Sequence, residues 1–82
     1  MAQNFRLDSL NMLLVTEKSN LATANVHLDF YASKEAKGVE LDFQERSDKE
    51  FWVQNVDKIN ERMAFIEAEI VIEKANEETH TH

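Results

Sequence analysis

The fold depends on residues 47–75, which read SDKEFWVQNVDKINERMAFIEAEIVIEKA. The first four residues, Ser47 to Glu50, have the pattern of a capping box, in which a serine hydroxyl and a glutamate carboxylate bind each other's backbone amides. Apolar residues then recur at intervals of three and four, as on one face of an α-helix. This inner row of α-helical spacing consists of Trp52, Val56, Ile59, Met63, Ile66 and Ile70. The sequence therefore predicts a long helix over about 47–77, followed by a tail at 78–82 that we expect to be disordered.

A second apolar row lies on another face of the same helix. It contains Phe65, Ala68, Ile72 and Ala75, with Val71 beside it in the last turns. A monomer this small would leave part of the apolar surface at this end of the helix exposed to water. We therefore predict an interface with a second copy of the chain, or with another protein, formed by Phe65, Ala68, Ile70, Val71, Ile72 and Ala75.

The residues before this helix alternate between apolar and polar. The alternation covers residues 22–32 without exception and resumes after Gly38 at residues 39–44. A period of two is typical of half-buried strands, and Gly38 would supply a positive φ in a hairpin connection. Together with an apolar segment near the start, this pattern predicts strands at about 8–16, 21–32 and 38–45. The predicted fold class is α+β, with a three-stranded antiparallel meander packed on one long C-terminal helix.

An all-α alternative fits many of the same residues. A heptad can be assigned to Leu7, Leu10, Leu14, Leu21, Ala24, Leu28 and Tyr31. This assignment would make residues 6–36 a helix and the whole chain a two-helix coiled-coil hairpin. The heptad is interrupted by Glu17, an acid at a position that normally faces the partner helix. We favour the strands because Val26, Phe30 and Tyr31 prefer them and because the alternation has no exception.

Composition limits the classes of partner. The chain has sixteen acidic and nine basic residues and a net charge of −7, of which −5 falls in residues 47–82. This charge disfavours direct binding to nucleic acids and to anionic membranes. The chain has no cysteine, its first residues do not resemble a signal peptide, and no apolar run approaches the length of a membrane span. We expect one soluble domain located in the cytoplasm.

One group of side chains suggests chemistry. On the predicted hairpin, the polar face would bring together His27, Asp29, Tyr31, Glu40 and Asp42. An imidazole with several carboxylates can bind a metal or transfer protons, so a metal-dependent or acid–base enzyme using His27, Asp29, Glu40 and Asp42 is one hypothesis. Exposed sheet faces commonly carry such residues, and the spacing shows no other catalytic arrangement. We therefore predict no enzyme activity, no metal and no cofactor, and interpret Trp52 as a packing residue.

The remaining hypotheses concern protein binding. We expect a small, acidic, non-enzymatic protein-binding factor of the inhibitor, chaperone or adaptor type that acts as a homodimer. An acidic surface on the long helix supports an alternative, in which the protein imitates a nucleic acid and blocks a DNA- or RNA-binding protein. This surface consists of Glu61, Glu67, Glu69 and Glu73.

Overall fold

The chain folds into a hairpin of two long α-helices. The computed structural model describes residues 4–80, with the side chains of residues 4–77. Helix α1 spans Phe5–Ala36 and helix α2 spans Phe43–His80, so residues 37–42 connect them. The molecule measures 63 × 17 × 17 Å. A rod this thin has no interior beyond the line along which the two helices meet, which we call the seam.

The predicted α+β fold is wrong, and the all-α alternative is the observed architecture. Within residues 4–80 the backbone contains no strand. The predicted strands at 8–16 and 21–32 lie within α1, and the one at 38–45 covers the connection and the first turn of α2. No proline or internal glycine interrupts residues 5–36, so nothing in the sequence prevents a continuous helix there.

Burial in α1 follows the heptad and not the alternation. Ala24 and Tyr31 are buried, whereas Val26 and Phe30 are more than half exposed, although Val26 and Phe30 belong to the predicted apolar face of a strand. The buried and half-buried side chains of α1 are Leu7, Leu10, Leu14, Glu17, Leu21, Ala24, Leu28, Tyr31 and Lys34. Except for Glu17 and Lys34, these are the residues of the heptad assignment.

The inner row of α2 is confirmed as the face that packs. All six of its residues are buried or half-buried, and Ile59 is only 1% exposed. Leu10 forms a buried cluster with Ile66 and Ile70, against which Leu7 and Leu14 pack. The partner of this row is therefore a second helix and not a sheet, because a heptad of leucines offers an apolar face of the same period and comparable length.

Contacts along the seam give an antiparallel register. Four pairs that join the helices along their length are Arg6–Glu73, Glu17–Arg62, His27–Trp52 and Lys34–Glu45. The two residue numbers of every pair add up to the same value. The helices therefore run past each other without any shift of register from the open end of the hairpin to the connection.

Gly38 ends helix α1. Its φ is 75°, a left-handed conformation that glycine adopts without strain. The Val39 N–H donates to the Lys34 carbonyl at 3.0 Å, and the Gly38 N–H donates to the Glu35 carbonyl at 3.0 Å. These two bonds form a Schellman motif. The predicted positive φ at Gly38 is thus confirmed, although it leads out of a helix and not between two strands.

Helix α2 begins earlier than the sequence predicts. The Asp42 side chain accepts from the Glu45 N–H at 2.8 Å, and the Glu45 carboxylate accepts from the Asp42 N–H at 3.2 Å. This reciprocal pair is a capping box. The predicted capping box at Ser47 lies inside the helix and does not start it. At the other end, α2 continues to His80, and the last two residues of the predicted disordered tail lie outside the described residues.

Candidate protein-binding surfaces

The predicted interface of α2 lies on the outside of the hairpin. We call Phe65, Ala68, Val71, Ile72 and Ala75 the outer row of α2, and all five side chains are exposed. Phe65 and Val71 are each 67% exposed and Ile72 is 52% exposed. The row lies on the helix face opposite the seam because its positions are offset by half a turn from those of the inner row. It is an apolar surface of about three turns at the open end of the hairpin.

Ile70 does not belong to this exposed surface. It is buried against Leu10 and Ile66 in the seam. The sequence predicts it both in the inner row and in the interface, and the structure places it in the inner row alone. A substitution at Ile70 would therefore test the hairpin itself and not an interface with another chain.

The predicted acidic surface is only partly available. Arg6 pairs with Glu69 at 3.2 Å and with Glu73 at 3.2 Å. The Asn4 amide also donates to the Glu73 carboxylate at 3.3 Å. Glu61 and Glu67 remain exposed on α2. Two of the four predicted acids thus hold the open end of the hairpin together, and their charge is partly balanced within the chain.

A second exposed apolar row lies on α1 and was missed from the sequence. We call Met12, Val15, Ser19, Ala22 and Val26 the outer row of α1, and all five side chains are exposed. Met12 is 71%, Val15 67% and Val26 68% exposed. The residues are spaced three, four, three and four apart, so they share the face opposite the seam. The signal was present in the sequence, but it becomes visible only after the heptad has been assigned to the seam.

Aromatic side chains cover the seam near the connection. The His27 and Trp52 rings stack with centroids 4.0 Å apart and planes 8° apart. Phe51 meets Trp52 edge to face at 5.3 Å, and Phe30 meets Tyr31 in the same way at 5.5 Å. These contacts make Trp52 a packing residue, as its place in the inner row suggests. They also place the ring of His27 against Trp52, away from the polar face of a β-hairpin on which it was predicted.

Charge and burial affect two titratable groups on the seam. Burial, reinforced by the charges of Asp48 and Glu45, raises the pKa of the Tyr31 phenol. The side-chain contact with Glu17, 2.9 Å from the guanidinium, raises the pKa of Arg62 against a smaller opposing effect of desolvation. Both groups keep their usual protonation state at neutral pH.

The residues of the proposed metal or acid–base site are not brought together. His27 and Asp29 lie in the middle of α1, whereas Glu40 lies in the connection and Asp42 caps α2. The part of the chain that the structure describes contains no group of three or more metal-binding side chains with suitable geometry. The hypothesis required a β-hairpin to bring these side chains to one face, and the structure has helices in place of its strands.

An open cleft of about 700 Å³ lies at the closed end of the hairpin. It is lined by Glu35, Gly38, Val39, Glu40, Leu41, Arg46 and Lys49. The Lys49 ammonium is 2.6 Å from the Glu35 carboxylate, so two of the charges in the lining bind each other. The cleft offers mixed charges and a wide opening, which gives a ligand little to recognise.

Neither described helix contains an uncharged apolar segment long enough to cross a bilayer. Comparison of the chain with protein-family models, with curated proteins and with solved structures found no match.

Proposed function

We propose that this chain is a small, acidic, non-enzymatic protein-binding factor of the inhibitor, chaperone or adaptor type that acts as a homodimer in the cytoplasm. The outer row of α2 is its proposed protein-binding surface. The observation that carries the proposal is the amount of apolar surface that the hairpin leaves exposed.

The total accessible area of the hairpin, polar and apolar together, supports self-association. The hairpin exposes 6357 Å², whereas a compact monomer of this mass exposes about 5,000 Å². The excess exceeds the roughly 800 Å² that one partner contributes to a standard interface. Among the described side chains, thirteen large apolar ones are exposed and only six apolar ones are buried. A second copy and a further protein would both find apolar surface to cover.

Sedimentation equilibrium over a wide range of protein concentration tests the homodimer. We expect a mass of two chains at high concentration and dissociation to single chains on dilution. A mass of one chain at every concentration would remove self-association from the proposal. The apolar rows would then both be available to other proteins.

Capture from a cell extract tests the outer row of α2. Ile72→Glu places a charge in the middle of the row, whereas Val53→Glu places one on another exposed part of the same helix. We expect the wild type and Val53→Glu to retain the same protein and Ile72→Glu to lose it. Equal retention by all three would remove this row as the binding surface.

The acidic-mimic alternative stays a prediction and needs its own test. Charge reversal at Glu69 or Glu73 would also break the ion pairs with Arg6. The exposed acids Glu61 and Glu67 are therefore the better positions, because their reversal leaves the hairpin contacts intact. A double reversal to lysine that abolished binding of a basic partner would favour the mimic. A double variant that binds normally in low salt would exclude the contribution of these two acids.

A further inference from the structure

The outer row of α1 is unusually neutral for this chain. Between Asp8 and Asp29 the helix contains two charged residues, Glu17 and Lys18. Glu17 is turned into the seam, where it pairs with Arg62, so only Lys18 places a charge on the exposed side. Two copies of a chain with a net charge of −7 repel each other wherever their acids meet. They can approach along this face without bringing acids together.

Two threonine hydroxyls beside the row are already satisfied within the helix. The Thr16 hydroxyl donates to the Met12 carbonyl at 3.0 Å, and the Thr23 hydroxyl donates to the Ser19 carbonyl at 3.2 Å. Covering a hydroxyl without a hydrogen-bond partner costs free energy. Because these two donors have partners in their own helix, a second chain can cover them without that cost.

The ends of the row are symmetric about its midpoint, Ser19. A twofold axis at Ser19 would place Met12 of one copy opposite Val26 of the other, with the helices antiparallel. Val15 and Ala22 lie four and three positions from Ser19, so each would face a threonine of the other copy, Thr23 and Thr16. The small side chains of Ser19 and Ala22 at the centre allow two helices to approach closely. A twofold interface requires this kind of self-matching surface.

We propose that the outer row of α1 binds a second copy of this chain, with the two α1 helices antiparallel across a twofold axis at Ser19. The inference rests on the proposed homodimer and gives it a location. It assigns self-association to α1 and leaves the outer row of α2 for the other protein.

Disulfide cross-linking tests the position of the axis directly. The chain has no cysteine, so Ser19→Cys and Ser33→Cys each carry a single thiol. Both positions are exposed in α1 and differ by two heptads, so they share one helix face. At the axis two thiols can come within disulfide distance, whereas two thiols at position 33 would lie about 40 Å apart.

Under mild oxidation we expect covalent dimers from Ser19→Cys and almost none from Ser33→Cys. Equal cross-linking by the two variants would mean random collision or another arrangement, and the inference would fail. Ala68→Cys supplies the competing test on α2. Efficient cross-linking there, with none from Ser19→Cys, would move the twofold axis to the outer row of α2.

Introducing a charge into the outer row of α1 or into the outer row of α2 distinguishes this inference from the proposed function. In sedimentation equilibrium, Val15→Glu should raise the dimer dissociation constant at least about tenfold, whereas Ile72→Glu should leave it unchanged. Both side chains are exposed, so circular dichroism should show the helix content of the wild type. If Ile72→Glu alone dissociated the dimer, the homodimer would stand and its location on α1 would be refuted. A wild-type chain that is always monomeric would refute both.

Discussion

Glu17 is the residue of α1 that makes the coiled coil hard to predict from the sequence. It occupies a heptad position on the seam, where an acid would normally weaken a coiled coil. Its side chain is only 14% exposed and its carboxylate lies 2.9 Å from the Arg62 guanidinium. Arg62 reaches it from the edge of α2, just beside the inner row. The acid is therefore tolerated because of a residue 45 positions later in the chain, which no local reading of α1 can detect.

Replacing Glu17 with leucine should stabilise the hairpin. An apolar side chain at this position would complete the row of leucines. The Arg62 side chain is 48% exposed, so water can solvate its charge and no buried unpaired charge is left behind. We expect Glu17→Leu to raise the free energy of unfolding by about 1 kcal/mol in urea denaturation followed by circular dichroism. Asn20→Leu is the control. Asn20 is exposed and lies outside both the seam and the outer row of α1, so its replacement should change the free energy of unfolding by less than about 0.5 kcal/mol. A loss of stability in Glu17→Leu would mean that the ion pair contributes more than the leucine can replace.

At the level of the helix, α2 was predictable and α1 was not. The inner row of α2 has one apolar period, so its helical state and its buried face follow from the sequence. Residues 22–32 of α1 satisfy two periods at once, because Val26 and Phe30 fit an alternation while Ala24 and Tyr31 fit a heptad. Only the partner helix decides between them, since it offers a groove of matching period. The predicted strands also divide the outer row of α1, because they place Met12 and Val15 in one strand, Ala22 and Val26 in the next and Ser19 between them.

The two candidate capping boxes provide a test of the helix start. Asp42 and Glu45 bind each other's backbone amides, whereas Ser47 is an exposed residue inside α2. We expect Asp42→Ala to lower the free energy of unfolding by about 1 kcal/mol, because a backbone amide of the first turn loses its partner. Ser47→Ala should leave it unchanged or raise it slightly, since alanine is the better residue within a helix. Thermal or urea unfolding compares the two variants. If Ser47→Ala were the more destabilising of the two, helix α2 would begin at Ser47 and not at Phe43.

The whole molecule is a rod with too little interior for its apolar content. Its radius of gyration is 18.5 Å, compared with about 12 Å for a compact domain of this length. A seam between two helices can bury one face of each, and the remaining apolar residues must stay outside. Self-association is the simplest way for such a chain to cover more of them.

The thermal stability should therefore depend on protein concentration. Because a dimer unfolds to two chains, mass action predicts a rise in Tm of about 4 °C for each tenfold increase in concentration. Differential scanning calorimetry over a hundredfold range measures this slope. Val15→Glu should unfold at a lower temperature than the wild type at each concentration because its dimer is weaker, while Ile72→Glu should match the wild type. A wild-type Tm independent of concentration would mean that unfolding does not involve a dimer.

The division between a neutral α1 and an acidic α2 has a consequence for valency. If two α1 helices meet at the centre, the two outer rows of α2 lie on opposite sides of the assembly and point away from each other. Such a dimer cannot close around one target, but it can bridge two. Bridging would give little advantage with a lone target molecule. On a target that is itself present in several linked copies, simultaneous attachment would strengthen binding roughly 10²–10⁴-fold without any new contact.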